Sequence, residues 1–420
     1  MLKQLVQKWL ADLARKIIAK HNPKIIGITG SVGKTSTRDA IYAVVSTAFS
    51  ARKGNKNFNN ELGMPFAILG VDSPGRNIVK WLWVFLKGYI ILYIGSYPQV
   101  LILEMGVDKP GDMDYLLSIA KPDIAVLTYI GLSHYEFFHS QEAVALEKSK
   151  LLSGLRDNGA AIINGDNDLV KQQANKAPGK VISYGFDEGN DVQISVLEER
   201  LASPAATNIK VHTHFSEFEA RVNGIGKPHV ASCAAAIAVG LNLNISIDHI
   251  LEGLERYKPS PGRLNILKGI KQSIIIEDSY NASPTSMKEA LAILSRMPQQ
   301  QKVAVLGDML ELGDISQSSH EEIGSLVVAS GVSRLITVGP QAKIILDSAV
   351  AHGFDEQQAH WFPTSSEAKD FVRETLAPAT AILIKGSQGV RMEKISKEIL
   401  LEPQSAPQYL PRQYGKWLEN

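Results

Sequence analysis

An apolar, β-branched segment that ends in a glycine turn and a Lys-Thr pair constrains this chain more than any other feature. It runs from Ile25 to Ser36 with the sequence IIGITGSVGKTS. The apolar part predicts a buried strand, and the residues from Lys34 onward predict a helix. A tight turn between them needs the backbone freedom of glycine and exposes N–H groups at the helix N-terminus. The segment therefore predicts an α/β unit.

The glycine turn is typical of a phosphate-binding loop. Backbone N–H groups and the helix dipole favour an anion there, Lys34 would reach the terminal phosphates of a nucleotide, and the Thr35 hydroxyl would hold Mg²⁺. The pattern G-x-x-x-x-G-K-[ST] would have glycine at Ile28, so the alternative is an ordinary strand-to-helix turn with a solvated lysine. The residues of this candidate nucleotide site are Gly30, Ser31, Val32, Gly33, Lys34, Thr35 and Ser36.

Length and charge exclude several classes of protein. A chain of 420 residues has room for two or three domains. Lys and Arg number 44 against 43 Asp and Glu, which gives no overall bias toward nucleic acid. Cys233 is the single cysteine, so an internal disulfide and a cysteine-based zinc site are both excluded. We expect a small buried residue at Cys233 and a reducing, cytoplasmic setting.

Polar residues follow the next predicted strands. The apolar run Val100–Leu103 ends in Glu104, and carboxyl ends of parallel strands meet at the ligand edge of a sheet. Glu104 beside the glycine loop would therefore bind Mg²⁺, directly or through water. A second strand, 124–128, runs toward His134, and a later helix carries Lys148. Taken singly, His134 is more often structural and Lys148 more often solvated.

Residues 77–96, NIVKWLWVFLKGYIILYIGS, form the most apolar run in the chain. Its length would permit a membrane span, but Lys80 and Lys87 interrupt it, and a lysine near mid-bilayer is costly. A single crossing would also separate the glycine loop from Glu104. We therefore predict a helix that lies in a membrane interface or docks on the amphipathic helix predicted over residues 2–20, because Trp, Tyr and Lys suit an interface.

The second half of the chain predicts another α/β unit. Residues 181–222 predict short, mostly antiparallel strands, and residues 229–256 predict two helices. The segment KPSPGR, residues 258–263, reads as a linker. Four further strands alternate with helices, as in a doubly wound sheet. They begin at Ile274, Val303, Leu335 and Ile382.

The predicted fold class is α/β, with a central P-loop ATPase domain built on a mostly parallel sheet and a C-terminal Rossmann-like domain. The predicted boundaries are an N-terminal amphipathic helix at 1–22, the central domain at 23–257 with its apolar helical insertion at 77–96, the C-terminal domain at 258–402 and a tail at 403–420.

The order of the motifs resembles the Mur ligase family over roughly residues 24–400. In the central domain the matching strings are TGSVGKT from Thr29, NNELGMP from Asn59, LEMG from Leu103, Ser133-His134 and Glu147-Lys148. In the C-terminal domain they are DSYNASP from Asp278, GDMLELG from Gly307 and LIKGS from Leu383. Within the family, the C-terminal strings look like those of ligases that add D-alanyl-D-alanine to UDP-N-acetylmuramoyl-tripeptide.

The resemblance implies an ATP-dependent amide ligase of peptidoglycan precursor synthesis, and so a cytoplasmic role in cell-wall biogenesis, cell shape and cell division. ATP would phosphorylate a substrate carboxylate, and an amine would then attack the acyl phosphate. The implied catalytic residues are Lys34, Lys148 and His134, and the implied magnesium ligands are Thr35, Glu104, His134 and Lys148. Lys148 matches a lysine that many of these enzymes carry as a carbamate, an anion that could help organise a metal site.

The resemblance also assigns ligand-binding roles. Asn60, Arg263 and Asp278 would bind ATP, with Arg263 at a phosphate and Asp278 at the ribose. Asn281, Ser283, Lys385 and Ser387 would contact substrate. The implied partners are a nucleotide-linked peptide acceptor and a dipeptide or amino acid. We expect no nucleic acid partner, and we expect the enzyme to be a monomer.

Two stretches depart from the family pattern. Family ligases usually begin with a domain that binds the UDP-sugar, whereas here the residues before Gly30 leave room only for the predicted helix. With the apolar run 77–96, this raises the alternative of an acceptor held at the inner membrane surface. The family also commonly has His-Asn and a further Asn near adenine, where this chain has Pro228, His229 and Ser232.

Three functions stay open at this point. The first is the cell-wall peptide ligase, and the second is a ligase of the same family for a lipid-linked or non-wall carboxylate. The third is a non-catalytic nucleotide-binding scaffold, which intact Lys34, Thr35 and Glu104 argue against.

Overall fold

The structure is a computed structural model that describes residues 2–54, 62–75, 77–131 and 135–418. Asn60 and His134 lie outside the described residues. Within them the chain forms two sheets, of nine and six strands, with helices packed on their faces. This arrangement confirms the predicted α/β fold, a mostly parallel sheet followed by a second α/β unit.

The first sheet contains nine strands. They are β1 (Lys24–Thr29), β2 (Ala51–Lys53), β3 (Val100–Glu104), β4 (Ile124–Leu127), β5 (Ala160–Asn164), β6 (Lys180–Gly185), β7 (Val192–Arg200), β8 (Ala206–Thr213) and β9 (Glu217–Asn223). Their spatial order is β2-β3-β1-β4-β5-β6-β7-β8-β9, parallel from β2 to β7 and antiparallel from β7 to β9. The antiparallel part expected over 181–222 therefore starts one strand later, because β6 extends the parallel sheet.

The second sheet contains six strands: β10 (Asn265–Lys268), β11 (Ile274–Asp278), β12 (Lys302–Gly307), β13 (Arg334–Val338), β14 (Ala359–Phe362) and β15 (Ala381–Lys385). Their order is β10-β11-β15-β12-β13-β14, and all pairs are parallel except β10 with β11. The sequence prediction found the four central strands and missed β10 and β14. Both missed strands lie at sheet edges and have only four residues, and so short a run gives a weak periodic signal.

Helices cover both sheets. The helices are α1 (Leu2–His21), α2 (Lys34–Val45), α3 (Gly63–Leu69), α4 (Ile78–Tyr93), α5 (Asp112–Ile119), α6 (Tyr135–Phe138), α7 (Gln141–Ser153), α8 (Asp168–Lys171), α9 (Gly226–Asn242), α10 (Ile247–Arg256), α11 (Pro284–Arg296), α12 (Ser316–Ala329), α13 (Ala342–Ala351), α14 (Ser365–Thr375), α15 (Glu393–Ile399) and α16 (Ala406–Tyr409). Short 3₁₀ turns span Ala174–Lys176, Ile270–Gln272, Gly313–Ile315, Glu356–Gln358, Gln388–Val390, Pro403–Ser405 and Gly415–Leu418.

The central strands of the first sheet, β1, β3, β4 and β5, are buried on both faces, so they read as continuous apolar runs. Successive side chains of a strand point to opposite faces. Ile25 therefore packs in the core beneath α1, α3, α5 and α7, while Ile26 packs beneath α2, α9 and α10. Cys233 is fully buried in α9, as its alanine-rich surroundings predicted.

The apolar run forms α4, which docks on α1. Phe85 stacks on Trp9 with ring centroids 4.2 Å apart, and Gly88 allows the helix to approach Leu13 closely. Lys87 Nζ donates to the carbonyl oxygen of Gly70 at 2.6 Å. No helix among the described residues is both long and apolar enough to cross a membrane.

The C-terminal segment folds back over the second sheet. Leu410 is buried, and Arg412 forms a buried ion pair with Glu393 at 2.8 Å. The Gly262 N–H, in the segment that joins the sheets, donates to the Tyr409 carbonyl oxygen at 3.2 Å. These contacts place residues 406–417 beside the junction between the two units.

Candidate active site

The glycine loop is held against the end of β4. Gly30 has φ +151°, and a Cβ there would lie 2.0 Å from Thr128 Oγ1, so a side chain at this position would clash. The same Thr128 hydroxyl donates to the Val32 carbonyl oxygen at 2.7 Å. The Ser31 N–H donates to the Tyr129 carbonyl oxygen at 2.6 Å. These bonds fix the loop, and the residues from Ser31 to the start of α2 line the cleft between the two sheets.

Lys34 and Thr35 open α2 directly after Gly33, which has φ +88°. Lys34 Nζ donates to the Gly30 carbonyl oxygen at 2.7 Å, inside its own loop. Burial lowers the pKa of Lys34, and the charge of Glu104 opposes that shift. The ammonium group is therefore positioned beside a carboxylate, at the end of the loop where phosphate oxygens would bind.

Glu104 lies at the end of β3, in register with Ile28 of β1. Its carboxylate is buried, accepts from Thr35 Oγ1 at 3.1 Å and pairs with Arg38 Nη1 at 3.3 Å. Arg38 also contacts Asp39, with Nη2 2.8 Å from Oδ1. The other oxygen of Asp39 accepts from the hydroxyl of Ser260, in the segment between the two sheets. This chain of contacts connects the predicted metal ligand to the linker.

Lys148 lies on α7 and is 1% exposed. Among the residues that the structure describes, its Nζ has no hydrogen-bond partner. Burial and the nearby charge of Lys34 hold the pKa of Lys148 well below its usual range. A buried amine without a partner is costly as a cation and is nucleophilic when neutral. The predicted alternative of a solvated lysine is therefore wrong.

Arg263 extends from the linker over the ring of Tyr280, with its guanidinium carbon 4.1 Å from the ring centroid. Its backbone oxygen accepts from Nε2 of buried His229 at 2.8 Å, and His229 Nδ1 lies 2.9 Å from the hydroxyl of Tyr257. Burial lowers the pKa of His229 to about 4. Because both ring nitrogens are engaged, His229 supports the linker from the central domain.

Asp278 and Lys385 form one buried ion pair, with Oδ2 2.6 Å from Nζ. The two residues end the paired parallel strands β11 and β15, where they lie in register. Lys385 also donates to the Asn281 carbonyl oxygen at 2.9 Å, and Asp278 accepts from the Leu264 N–H at 3.2 Å. Burial lowers the pKa of Lys385 and raises the pKa of Asp278, and their mutual attraction opposes both shifts.

Two predicted substrate residues also bind the protein's own backbone. Ser283 caps α11 by accepting from the Ser286 N–H at 3.4 Å, within a reciprocal capping box. Ser387 Oγ accepts from the Leu310 N–H at 2.9 Å. Their hydroxyls therefore fix the local backbone as well as facing the cleft.

One cavity of about 870 Å³ lies between the two sheets. The predicted residues that line it are Ser31, Val32, Gly33, Lys34, Thr35, Ser36, Glu104, Arg263, Asp278, Asn281, Ser283, Lys385 and Ser387, together with Pro228, His229 and Ser232. Gly30 and Lys148 are not among the residues that line it. The fold thus brings residues more than 200 positions apart in the sequence into one cleft, as topology predicts for parallel sheets.

Sequence reasoning missed other lining residues. They are Asp108, Asn164, Asp166, Phe186, Asp187, Lys227, Tyr280 and Trp417, among others. Asn164 ends β5 and Asp166 follows two residues later, so strand-end position could have identified them. Trp417 carries no local signal, because it reaches the cleft only through the packing of the C-terminal segment.

The described residues supply few metal ligands. No group of three or more His, Cys, Asp or Glu side chains in the described ranges could hold a metal ion. Thr35 and Glu104 nevertheless offer hard oxygen donors at one point of the cleft. Mg²⁺ in nucleotide sites commonly takes one or two protein oxygens and completes its shell with phosphates and water. These residues therefore fit Mg²⁺ better than they would fit a metal that needs a full protein cage.

Comparison with known families and proteins agrees with this geometry. The Mur ligase middle domain matches residues 28–240, and the Mur ligase glutamate ligase domain matches residues 262–388. The UDP-N-acetylmuramoyl-tripeptide--D-alanyl-D-alanine ligase of Bacillus subtilis is 32% identical over 397 residues, which cover 94% of this chain and 80% of the relative.

Two solved structures are similar throughout both units. MurF from Acinetobacter baumannii superposes with a TM-score of 0.78 at 26% identity, covering 93% of this chain and 79% of the other. MurF ligase from Thermotoga maritima in complex with ADP gives 0.77 at 25% identity, covering 93% and 83%. The motif order, the cleft between the two sheets and these matches lead to one conclusion: the chain belongs to the Mur ligase family.

Proposed function

We propose that this protein is an ATP-dependent amide ligase that adds D-alanyl-D-alanine to a UDP-N-acetylmuramoyl-tripeptide and releases ADP and phosphate. The observation that carries the proposal is the shared cleft: Lys34 of the phosphate loop and Lys385 of the second sheet line the same cavity. A ligase of this kind must bring ATP and two substrates together. The names of the similar relatives describe this same reaction.

The proposed reaction has two steps. The acceptor carboxylate attacks the γ-phosphate of ATP, which gives an acyl phosphate and ADP; the dipeptide amine then attacks the acyl carbon, and phosphate leaves. Lys34 and the loop N–H groups stabilise charge on the transferring phosphoryl oxygens. Within the part of the chain that the structure describes, the buried Nε of Arg263 has no hydrogen-bond partner, and Arg263 lines the cleft, so its guanidinium would bind phosphate oxygens from the linker side.

Thr35 and Glu104 would hold Mg²⁺, which when bound would neutralise phosphate charge. Glu104 is already paired with Arg38, so that guanidinium balances the carboxylate charge within the protein. His134, outside the described residues, stays a predicted ligand. We also propose that Lys148 is carbamylated: CO₂ adds to the neutral amine with loss of one proton, which converts a neutral buried amine into an anion.

Partners and location complete the proposal. Asp278 and Lys385 would act as one unit at the ribose and incoming amine, because they form a single ion pair. The enzyme is proposed to act as a monomer on the cytoplasmic side of the inner membrane, with residues 77–96 as a peripheral membrane contact. Asn60 stays a predicted ATP-binding residue.

The testing experiment measures phosphate release from Mg-ATP by the purified protein and identifies products by mass spectrometry. UDP-N-acetylmuramoyl-tripeptide and D-alanyl-D-alanine are supplied together and each omitted in turn. We expect phosphate release that requires both, with a pentapeptide product. Lys34→Ala should lower the rate by on the order of 100-fold or more, whereas Lys24→Ala, at an exposed position on β1, should not.

The outcomes separate the three functions. ATP binding without the pentapeptide product would favour a family ligase with another acceptor, lipid-linked or unrelated to the cell wall. A cellular function that Lys34→Ala leaves intact would refute catalysis and favour the scaffold.

A further inference from the structure

The outward face of α4 is apolar along its whole length. Eight of its sixteen residues are large exposed hydrophobic side chains, with Val79 74% and Leu82 65% exposed. At about 100° per residue these eight cover an arc of about 140°. They are Ile78, Val79, Leu82, Trp83, Leu86, Tyr89, Ile90 and Tyr93. Patches of this kind on soluble proteins mark interaction surfaces.

Helix α1 extends this surface. Leu5 and Trp9 are exposed at 59% and 48%, and the Trp9 ring lies 6.4 Å from the ring of Tyr89. We call these ten residues, from α1 and α4 together, the α1–α4 apolar face. Three of the ten are Trp or Tyr residues on α4, the types that favour the boundary between lipid and water.

Basic residues border this face. Lys80 and Lys87 fall on one edge of the exposed arc of α4, by helical spacing. On the opposite edge, Lys20 Nζ donates to the Tyr93 carbonyl oxygen at 3.3 Å, and Lys16, one turn earlier on α1, pairs with Asp12 at 2.9 Å. The two helices hold seven Lys and Arg, five in α1 and two in α4, against one Asp. The whole chain has a net charge of only +1.

This charge distribution selects the partner. A second copy of the chain would bring two strongly basic borders together, and like charges at an interface oppose association. A spanning arrangement is excluded by the length of α4, because sixteen residues reach about 24 Å against a hydrocarbon core of about 30 Å. An anionic lipid surface instead complements both the apolar arc and its lysines.

We propose that the α1–α4 apolar face binds the surface of a bilayer that contains anionic lipid, with α4 lying parallel to the membrane plane. The aromatic rings would lie at headgroup depth, and the exposed Lys80 on the border of the face would extend to the phosphates. None of the ten residues lines the cleft. The inference rests on the membrane contact proposed above and names its lipid class and residues, but it does not depend on the ligase reaction.

The experiment is co-sedimentation of the full-length protein with vesicles at low salt. Vesicles of phosphatidylglycerol and phosphatidylethanolamine are compared with phosphatidylcholine vesicles. The test variant is Leu82→Gln/Trp83→Gln/Leu86→Gln. The matched control is Val196→Gln/Leu197→Gln/Phe215→Gln, which removes three exposed hydrophobic side chains far from the face. Lys80→Glu is a milder variant that changes one exposed charge.

We expect the wild type to bind the anionic vesicles more tightly than the phosphatidylcholine vesicles, and added salt should weaken that binding. The triple variant should bind the anionic vesicles more than about tenfold more weakly than the wild type, and Lys80→Glu should bind them measurably more weakly. The control should bind like the wild type. The proposal is overturned by absence of wild-type binding to anionic vesicles, by equal loss in the control, or by sedimentation showing a dimer that the triple variant dissociates. Circular dichroism checks that the triple variant is folded, and phosphate release in vesicle-free buffer tests the ligase proposal separately.

Discussion

The buried imidazole of His229 should make the protein less stable in acid. Its Nε2–H donates to the Arg263 carbonyl oxygen and its Nδ1 accepts from the Tyr257 hydroxyl, so the neutral ring is fully bonded. Burial lowers the pKa of His229 from 6.5 to about 4. Between these values the unfolded chain binds a proton that the folded chain does not. The free energy of unfolding therefore falls as the pH falls from about 6.5 to about 4.

The magnitude follows from the two pKa values. At about 1.4 kcal/mol per pKa unit, lowering the pH from about 7.5 to about 5 costs about 2 kcal/mol through this one group. We expect His229→Gln to remove that pH-dependent part, even though it also weakens the protein at neutral pH by losing a hydrogen bond. Urea unfolding followed by circular dichroism at both pH values measures the difference.

The quantity compared between wild type and variant is the change in the free energy of unfolding between the two pH values. The contributions of all other titrating groups are common to both proteins and cancel in this comparison. His249→Gln, at an exposed position of α10, is the matched control and should keep the wild-type difference. If His229→Gln loses as much stability as the wild type between the two pH values, the reasoning about the buried neutral ring is refuted.

Three further predictions follow from the site. Removing CO₂ from the buffer should lower the ligase rate and bicarbonate should restore it; full activity without CO₂ would contradict a carbamate on Lys148. Lys385→Met leaves the carboxylate of Asp278 buried without its partner and should cost about 3–5 kcal/mol in thermal unfolding; a loss below about 1 kcal/mol would show that water solvates the carboxylate. Arg412→Met should raise KM for ATP more than it lowers kcat, because Arg412 holds the backbone of Tyr280, on which Arg263 stacks. A rate lowered by the same factor at every ATP concentration would instead indicate a smaller fraction of folded enzyme.

The sequence was sufficient wherever one local pattern determined the structure. The β-branched run before Gly30 is a central strand, and the Lys-Thr pair begins a helix, because burial and turn chemistry act over a few residues. Glu104 could be placed for the same reason, since it ends an apolar strand. The family conclusion needed only the order of such motifs.

What the sequence did not reveal depends on contacts between distant segments. Asp278 and Lys385 were assigned to different ligands, yet strand pairing brings them within 2.6 Å of each other. Lys148 looked like a surface residue because its helix has polar positions on several sides, and only tertiary packing buries it. Trp417 reaches the cleft through a C-terminal segment whose composition does not predict an ordered fold.

The contacts of α2 have a consequence for movement between the two units. The helix begins at the phosphate loop, and one turn later Arg38 and Asp39 connect it to Glu104 on one side and to Ser260 on the other. A rotation of the C-terminal unit about residues 258–263 must either carry this helix with it or break the Asp39–Ser260 bond. The Asp39–Ser260 bond therefore ties the helix that begins at the phosphate loop to the linker between the two units.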